Sequence, residues 1–205
     1  MSLRAALLAL LTAEPLTGYE AAKRFDSSVG HVWNAPDSQI YPELRRMEKE
    51  GLVDGVQVPW GPNSTKTRYY ITEDGERAFR DWMDAPLDYG PLRDAAHMQA
   101  AYFEWADAER ARDHLRRHIA FYNGMLDRWR AAREVILDHS HRTIAARLEK
   151  FPPQTHERIV AYKAFAYEGL IARGEAEVAW AQRGLELIDS LEAENPAPSG
   201  HESQH

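Results

Sequence analysis

Leu3, Leu7, Leu10 and Leu11 recur at helical spacing, and Pro15 marks where the helix they define has already stopped. Thr17-Gly18-Tyr19-Glu20 then reads as a capping box, with the Thr17 hydroxyl serving one orphan amide and the Glu20 carboxylate reaching back to another. A second helix is predicted from there through Ala21, Ala22 and Phe25. After a break around Gly30 to Pro36, Asp37 or Ser38 can cap a third helix whose inward face is Ile40, Leu44 and Met47. Pro42 lies near its start, where slight distortion is expected because a missing N–H is tolerated only within about the first turn. Gly51 suits a left-handed stop, with Leu52 folding back on Met47 or Glu48. Leu52 to Val58 and Lys66 to Ile71 have strand character, and the turn-rich Pro59 to Thr65 between them predicts a hairpin. Thr72 caps a fourth helix expected to bury Ala78, Phe79, Trp82 and Met83. The order helix, helix, helix, hairpin, helix is the plan of a winged helix-turn-helix with a two-stranded wing.

Asp84 to Pro91, with Pro86, Gly90 and Pro91, is the best boundary. Beyond it a long helix starting near Asp107 carries Leu115, Ile119, Tyr122, Leu126, Trp129 and Ile136 at alternating four- and three-residue steps, with Arg133 as a polar interruption. A short helix around Thr143 to Leu148 precedes the Pro152-Pro153 break. The last helix carries Val160, Ala164, Tyr167, Ile171, Gly174, Val178, Ala181, Leu185 and Ile188 in the same steps, a seam unbroken by charge. Two such helices can satisfy each other as an antiparallel hairpin within one chain. Phe165, Leu170, Trp180, Leu187 and Leu191 lie off that seam and give a second subunit something to cover. The fold class expected is therefore mainly α, with a DNA-binding domain over 1–84 and a helical dimerisation domain over 85–191. The polar, aperiodic stretch 192–205 is expected to be disordered. Val160, Tyr167, Ile171, Val178, Leu185 and Ile188 are the candidate dimerisation residues.

A chain of 205 residues can bury a real core without staples, and the absence of cysteine excludes disulfides and thiolate chemistry and fits a reducing cytoplasm. Met1 to Leu11 is apolar but short and carries Arg4, so neither a membrane span nor a signal peptide is expected there. The formal net charge of −7 counts against a nucleic-acid binder if read over the whole chain. Up to Tyr70, however, cations and carboxylates balance, and the acidic excess lies entirely afterwards.

Four segments in order carry a family resemblance: Thr17-Gly18-Tyr19-Glu20, Ser38-Gln39-Ile40-Tyr41-Pro42-Glu43-Leu44, Glu50-Gly51-Leu52-Val53, and Tyr70-Ile71-Thr72-Glu73-Asp74-Gly75. Together they resemble the PadR family of regulators, strongly to about Asp84, and beyond it the Arg93-Asp94 pair and the long helices look like the C-terminal domain of its longer members. The resemblance implies a homodimer, a recognition helix in the major groove, a wing at the flanking backbone, and usually a repressor of its own or a neighbouring promoter. It also implies relief by a small molecule, phenolic acids in the founding case.

The third helix should present Ser38, Gln39, Tyr41 and Arg45 outward. Gln39 can pair bidentately with adenine, while Ser38 and Tyr41 suit phosphates or a single base edge. Tyr41 can equally pack against the second helix. Arg45 and Arg46 cannot both face DNA, and Arg46 suits a solvated or ion-paired face. Tyr19 and Lys23 lie one turn apart at a helix start that favours phosphate. Lys66 and Arg68 alternate onto one strand face, as wing contacts or as part of an ordinary polar hairpin. Trp33, Tyr102, Trp105 and Tyr122 are the aromatic candidates for an effector pocket, with core packing as the default. His114 and His118 share a helix face but have no third ligand at a diagnostic interval, so no metal site is expected. No cofactor or catalytic constellation is expected either. The reading is a DNA-binding regulator; the rival is a winged-helix protein-interaction adaptor, which the overall acidity favours and which salt-dependent duplex binding separates from it.

Overall fold

The computed structural model describes residues 3–25, 36–91 and 93–194. The expected break before Pro36, Trp33 within it, and the stretch from 195 onward lie outside them. Contacts divide the chain into two compact units, one of residues up to Tyr89 with Val135–Tyr162, the other of Gly90–Glu134 with residues from Lys163 on.

In the first unit, α1 (Leu3–Leu11) leads through β1 (Leu16–Thr17) into α2 (Gly18–Arg24) and α3 (Asp37–Lys49). The hairpin β2 (Val53–Pro59) and β3 (Thr65–Ile71) follows, then α4 (Glu73–Asp84). The strands form one antiparallel sheet in the order β1-β3-β2, with Leu16 opposite Tyr69 and Val56 opposite Arg68. The two-residue strand β1 is too short to leave an alternation in the sequence. The core joins Leu7, Leu8 and Leu11 of α1 to Phe25 and to Ile40, Leu44 and Met47 of α3. Leu44 and Met47 are fully buried, each contributing roughly 1.5–3 kcal/mol through apolar burial.

α3 ends as expected. Gly51 takes φ +76°, its N–H donates to the Glu48 carbonyl at 3.0 Å, and the Leu52 N–H reaches back to the Met47 carbonyl at 2.9 Å. Its start differs from expectation: Pro36 holds the N-cap position without a side-chain acceptor, so neither Asp37 nor Ser38 caps. Asp37 lies instead in the first turn, where the helix dipole favours its charge. α3 runs unbroken through Pro42. Thr72 caps α4 by accepting the Gly75 N–H at 3.1 Å. Ala78 and Phe79 pack on the core, but Trp82 and Met83 are exposed, against expectation. The apolar stripe of α4 outruns the part of the helix that meets the core.

Also in this unit, α7 (Arg142–Lys150) buries Thr143, Ile144 and Leu148. The Arg147 guanidinium donates to the Thr12 hydroxyl at 2.9 Å and to the Ala9 carbonyl near the end of α1 at 3.3 Å. Arg24 donates to the Thr143 hydroxyl at 3.1 Å and pairs with Glu14 at 2.6 Å.

The second unit contains α5 (Ala95–Ala100), the short 3-10 turn Phe103–Trp105, most of α6 (Ala108–Leu137) and most of α8 (His156–Glu194). α8 extends into the stretch expected to be disordered as far as Glu194. Within the unit α6 and α8 run antiparallel, because their partners pair in reversed order: Arg112 with Asp189, His118 with Glu177, and Arg133 with Glu168. Gly174 and Gly184 let the backbones approach. A Cβ at Gly174 would meet Trp129 at 2.9 Å and Leu126 at 3.0 Å, and one at Gly184 would meet Leu115 at 2.9 Å. No helix among the described residues is long and apolar enough to cross a membrane.

Candidate nucleic-acid interface

Because α3 buries Ile40, Leu44 and Met47 at four- and three-residue steps, its opposite face presents Ser38, Gln39 and Arg45 to solvent. Arg45 makes no ion pair with a described residue. Arg46 does, with Glu43 at 3.1 Å. Arg4 of α1 reaches Glu43 at 2.8 Å and Glu50 at 2.5 Å, and these two carboxylates hold its guanidinium above its ordinary pKa, Glu50 foremost. The pairs engage carboxylates on α3 and just after its end that would otherwise repel a phosphate.

Tyr41 packs against α2 and is still partly exposed. Its ring lies against Gly18, where a Cβ would come within 2.5 Å of it, yet it stays 37% exposed. Glycine at the first position of α2 therefore lets α3 pack closely. The capping box beside it is complete. The Glu20 carboxylate accepts from the Thr17 N–H at 2.8 Å and the Thr17 hydroxyl at 2.9 Å, and the Glu20 N–H donates to the Thr17 hydroxyl oxygen at 3.3 Å. The backbone bond from Thr17 is the main reason Glu20 stays below the usual carboxylate range. Tyr19 and Lys23, one turn apart, are both exposed.

Pairing of Val56 with Arg68 and Val58 with Lys66 puts these four side chains on one face of the hairpin, turned toward the start of α2. Arg68 stands 3.9 Å from Glu20. The Lys66 ammonium lies over the Trp60 ring and 5.4 Å from the centroid of Tyr19. The sequence pattern places Trp60 only in the turn. Alternation through Val56 and Val58 was the signal that would have put it beside Lys66. Ser38, Gln39, Tyr41 and Arg45 thus share α3, while Tyr19, Lys23, Lys66 and Arg68 gather around the start of α2 and the wing.

In the second unit, Tyr102 and Trp105 are exposed, and Tyr122 is half-buried against His118, its phenol raised above its ordinary pKa chiefly by burial. None of the three lines the half-open cleft of about 570 Å³ bounded by Phe103, Leu115, Trp180, Leu187 and Leu191, with Arg183 and Glu104 at its edge. His118 pairs with Glu177 at 3.1 Å, and His114 packs on Phe103. Of the dimerisation candidates, Val160 and Tyr167 are buried within the chain, and Ile171, Val178, Leu185 and Ile188 are half-buried.

The three-helix core with its hairpin and the long antiparallel helices define a winged helix-turn-helix protein with a helical C-terminal extension. Residues 7–81 match the Transcriptional regulator PadR-like family. The negative transcriptional regulator PadR of Bacillus subtilis is 35% identical over 81 residues, covering 40% of this chain and 44% of that protein, so the chain spans under half of its length. The crystal structure of Bacillus subtilis PadR in complex with operator DNA shares the fold at a TM-score of 0.70 and 22% identity, covering 91% of this chain and 99% of that one. The same protein in complex with p-coumaric acid gives a TM-score of 0.65 at 22% identity, covering 91% of this chain and 95% of that one.

Proposed function

We propose that this protein is a transcriptional regulator, a repressor that reads a two-fold-symmetric operator as a homodimer and is relieved by a small-molecule effector. The observation that carries the reading is the outward face of α3, where Ser38, Gln39 and Arg45 stand exposed over a packed core. Gln39, able to pair bidentately with adenine, and Arg45, without an ion pair among the described residues, suit a major groove. Tyr19, Lys23 and the wing cations supply phosphate anchoring, which carries affinity but no sequence information. The relative's complex with operator DNA supports DNA as the partner. The relative's complex with p-coumaric acid supports an effector, and the cleft in the helical unit is of ligand size. The domain over 1–84 binds DNA in this reading and that over 85–191 dimerises.

Selection of bound duplexes from a random pool tests the proposal. Enrichment of an inverted repeat, with affinity falling steeply as salt rises, is the result it requires. A pool that enriches nothing, with no salt-dependent binding, would overturn it in favour of a protein-interaction role.

A further inference from the structure

We propose that Trp60 is a positioning residue for DNA binding: with Tyr19 it forms an aromatic clamp that holds the Lys66 ammonium where a DNA phosphate docks against the wing. The proposal rests on the reading that this domain binds DNA. Three features carry it.

The first is register. Lys66 faces Val58 across the hairpin, and alternation along β2 brings Trp60 to the same side, next to it at the strand end. The turn fixes the tryptophan there. Its N–H donates to the Ser64 carbonyl at 2.7 Å, the Ser64 hydroxyl donates to its carbonyl oxygen, and Gly61 takes φ +71°.

The second is charge. Among the described residues Lys66 makes no ion pair, whereas its strand neighbour Arg68 lies against Glu20. Its ammonium lies instead over Trp60 and 5.4 Å from the Tyr19 centroid. A ring face attracts a cation through its quadrupole and leaves the net charge intact. A carboxylate in that place would cancel the charge, and a phosphate would have to displace it. The clamp orders a flexible side chain and keeps it available to an incoming anion.

The third is exposure. Tyr19 is 58% and Trp60 57% exposed, so the clamp lies at the surface rather than in the core. Replacing Trp60 therefore leaves the fold's buried contacts in place.

The test uses the full chain with Trp60→Leu, Trp60→Phe, Lys66→Met and the Trp60→Leu/Lys66→Met double variant, each checked for an unchanged thermal melt. In the free protein, the Lys66 ε-methylene protons should show an upfield ring-current shift in the NMR spectrum. Trp60→Leu should abolish the shift and Trp60→Phe keep part of it. On a selected duplex and on a random one, Trp60→Leu should weaken binding about three- to tenfold, equally for both, as expected for a partly exposed cation–π contact. It should also lower the salt slope by about one unit per wing, the mark of a lost phosphate contact. Trp60→Phe should restore most of the affinity. With Lys66 already Met, Trp60→Leu should do nothing further.

If Trp60→Leu weakens DNA equally in the Lys66→Met background, Trp60 acts on DNA by another route and the clamp is overturned. Absence of the ring-current shift in a protein that binds duplex normally also overturns it. If the shift is present but the wild-type chain binds no duplex, the DNA-binding reading falls, and the positioning role with it, while the clamp itself stands.

Discussion

Gln39 and the wing cations answer to different physics although they belong to one small unit. Gln39 is exposed on α3 and suited to a base edge, so Gln39→Ala should cost about 1–3 kcal/mol at the cognate site. Discrimination should flatten at one position per half-site while the salt slope holds. Affinities for cognate and single-substitution duplexes across a salt series check this, and full discrimination by the variant would remove Gln39 from the reading set. Glu20 makes a separate prediction about pH. Its carboxyl is lowered in the folded state, first by the Thr17 N–H, so it binds protons less readily folded than unfolded. Its contribution to stability is therefore full above the ordinary carboxylate pKa and is lost as pH falls through the lowered folded value. Glu20→Gln should flatten this acid limb in urea melts taken from neutral to acid pH; an unaltered limb would show that other carboxylates carry it. At this scale the sequence was informative wherever a function is local. The capping box needs only Thr17 and Glu20 three apart. The seat of Tyr41 on Gly18 and the bridge from Arg4 to Glu43 and Glu50 depend on tertiary proximity, which no spacing encodes.

Elements with a strong period or a chemical stop were legible, and short ones were not. α3, α6 and α8 each repeat apolar residues over several turns, and the hairpin is punctuated by Trp60-Gly61-Pro62-Asn63. α5 and the 3-10 turn at Phe103–Trp105 are too short to set up a period, and β1 owes its existence to pairing with β3 rather than to its own two residues. The burial expected of Trp82 and Met83 failed for a related reason: a helical stripe shows which face is apolar but not how far the neighbouring element extends. Least visible was the polar part of the attachment of α7, beside the buried Ile144 and Leu148. Arg147 serves the Thr12 hydroxyl and the Ala9 carbonyl, and burial lowers its pKa. Near the C-terminal end of α1 a cation also meets the negative end of the helix dipole. Arg147→Leu should therefore destabilise the chain by about 1–3 kcal/mol, through the loss of two hydrogen bonds donated by a charged group. Urea melts give the magnitude, and hydrogen exchange should localise the loss to α7 and the end of α1. A variant with wild-type exchange in both segments would show the contact to be dispensable.

Taken as a whole chain, the long helices use part of their apolar surface internally and leave a surplus. Gly174 and Gly184 press α8 onto Trp129, Leu126 and Leu115 of α6, so this part of the seam read from the sequence is occupied within the chain. Gly174→Val should accordingly lower the melting temperature of the chain whatever its assembly, because the added side chain enters a packed contact. Phe165, Leu187 and Leu191 lie off that seam and are 71%, 59% and 53% exposed. Large apolar side chains gathered on a helical surface mark an association site more often than a free surface. A homodimer joined there should fall apart when charge is introduced on that side, since an unpaired buried charge is expensive while the same charge in water is not. Leu187→Glu combined with Leu191→Glu should therefore halve the mass seen by light scattering at micromolar concentration and leave the far-ultraviolet circular dichroism of the helices intact. Operator binding should weaken along with it and lose its dependence on the spacing between half-sites, because two linked reading helices bind as one unit only while the dimer holds. Phe165→Asp tests the other end of the same surplus. A double variant that keeps the dimer mass, beside a Phe165→Asp protein that loses it, would move the interface toward the start of α8; retention of the dimer by both would exclude this surplus as the contact between subunits.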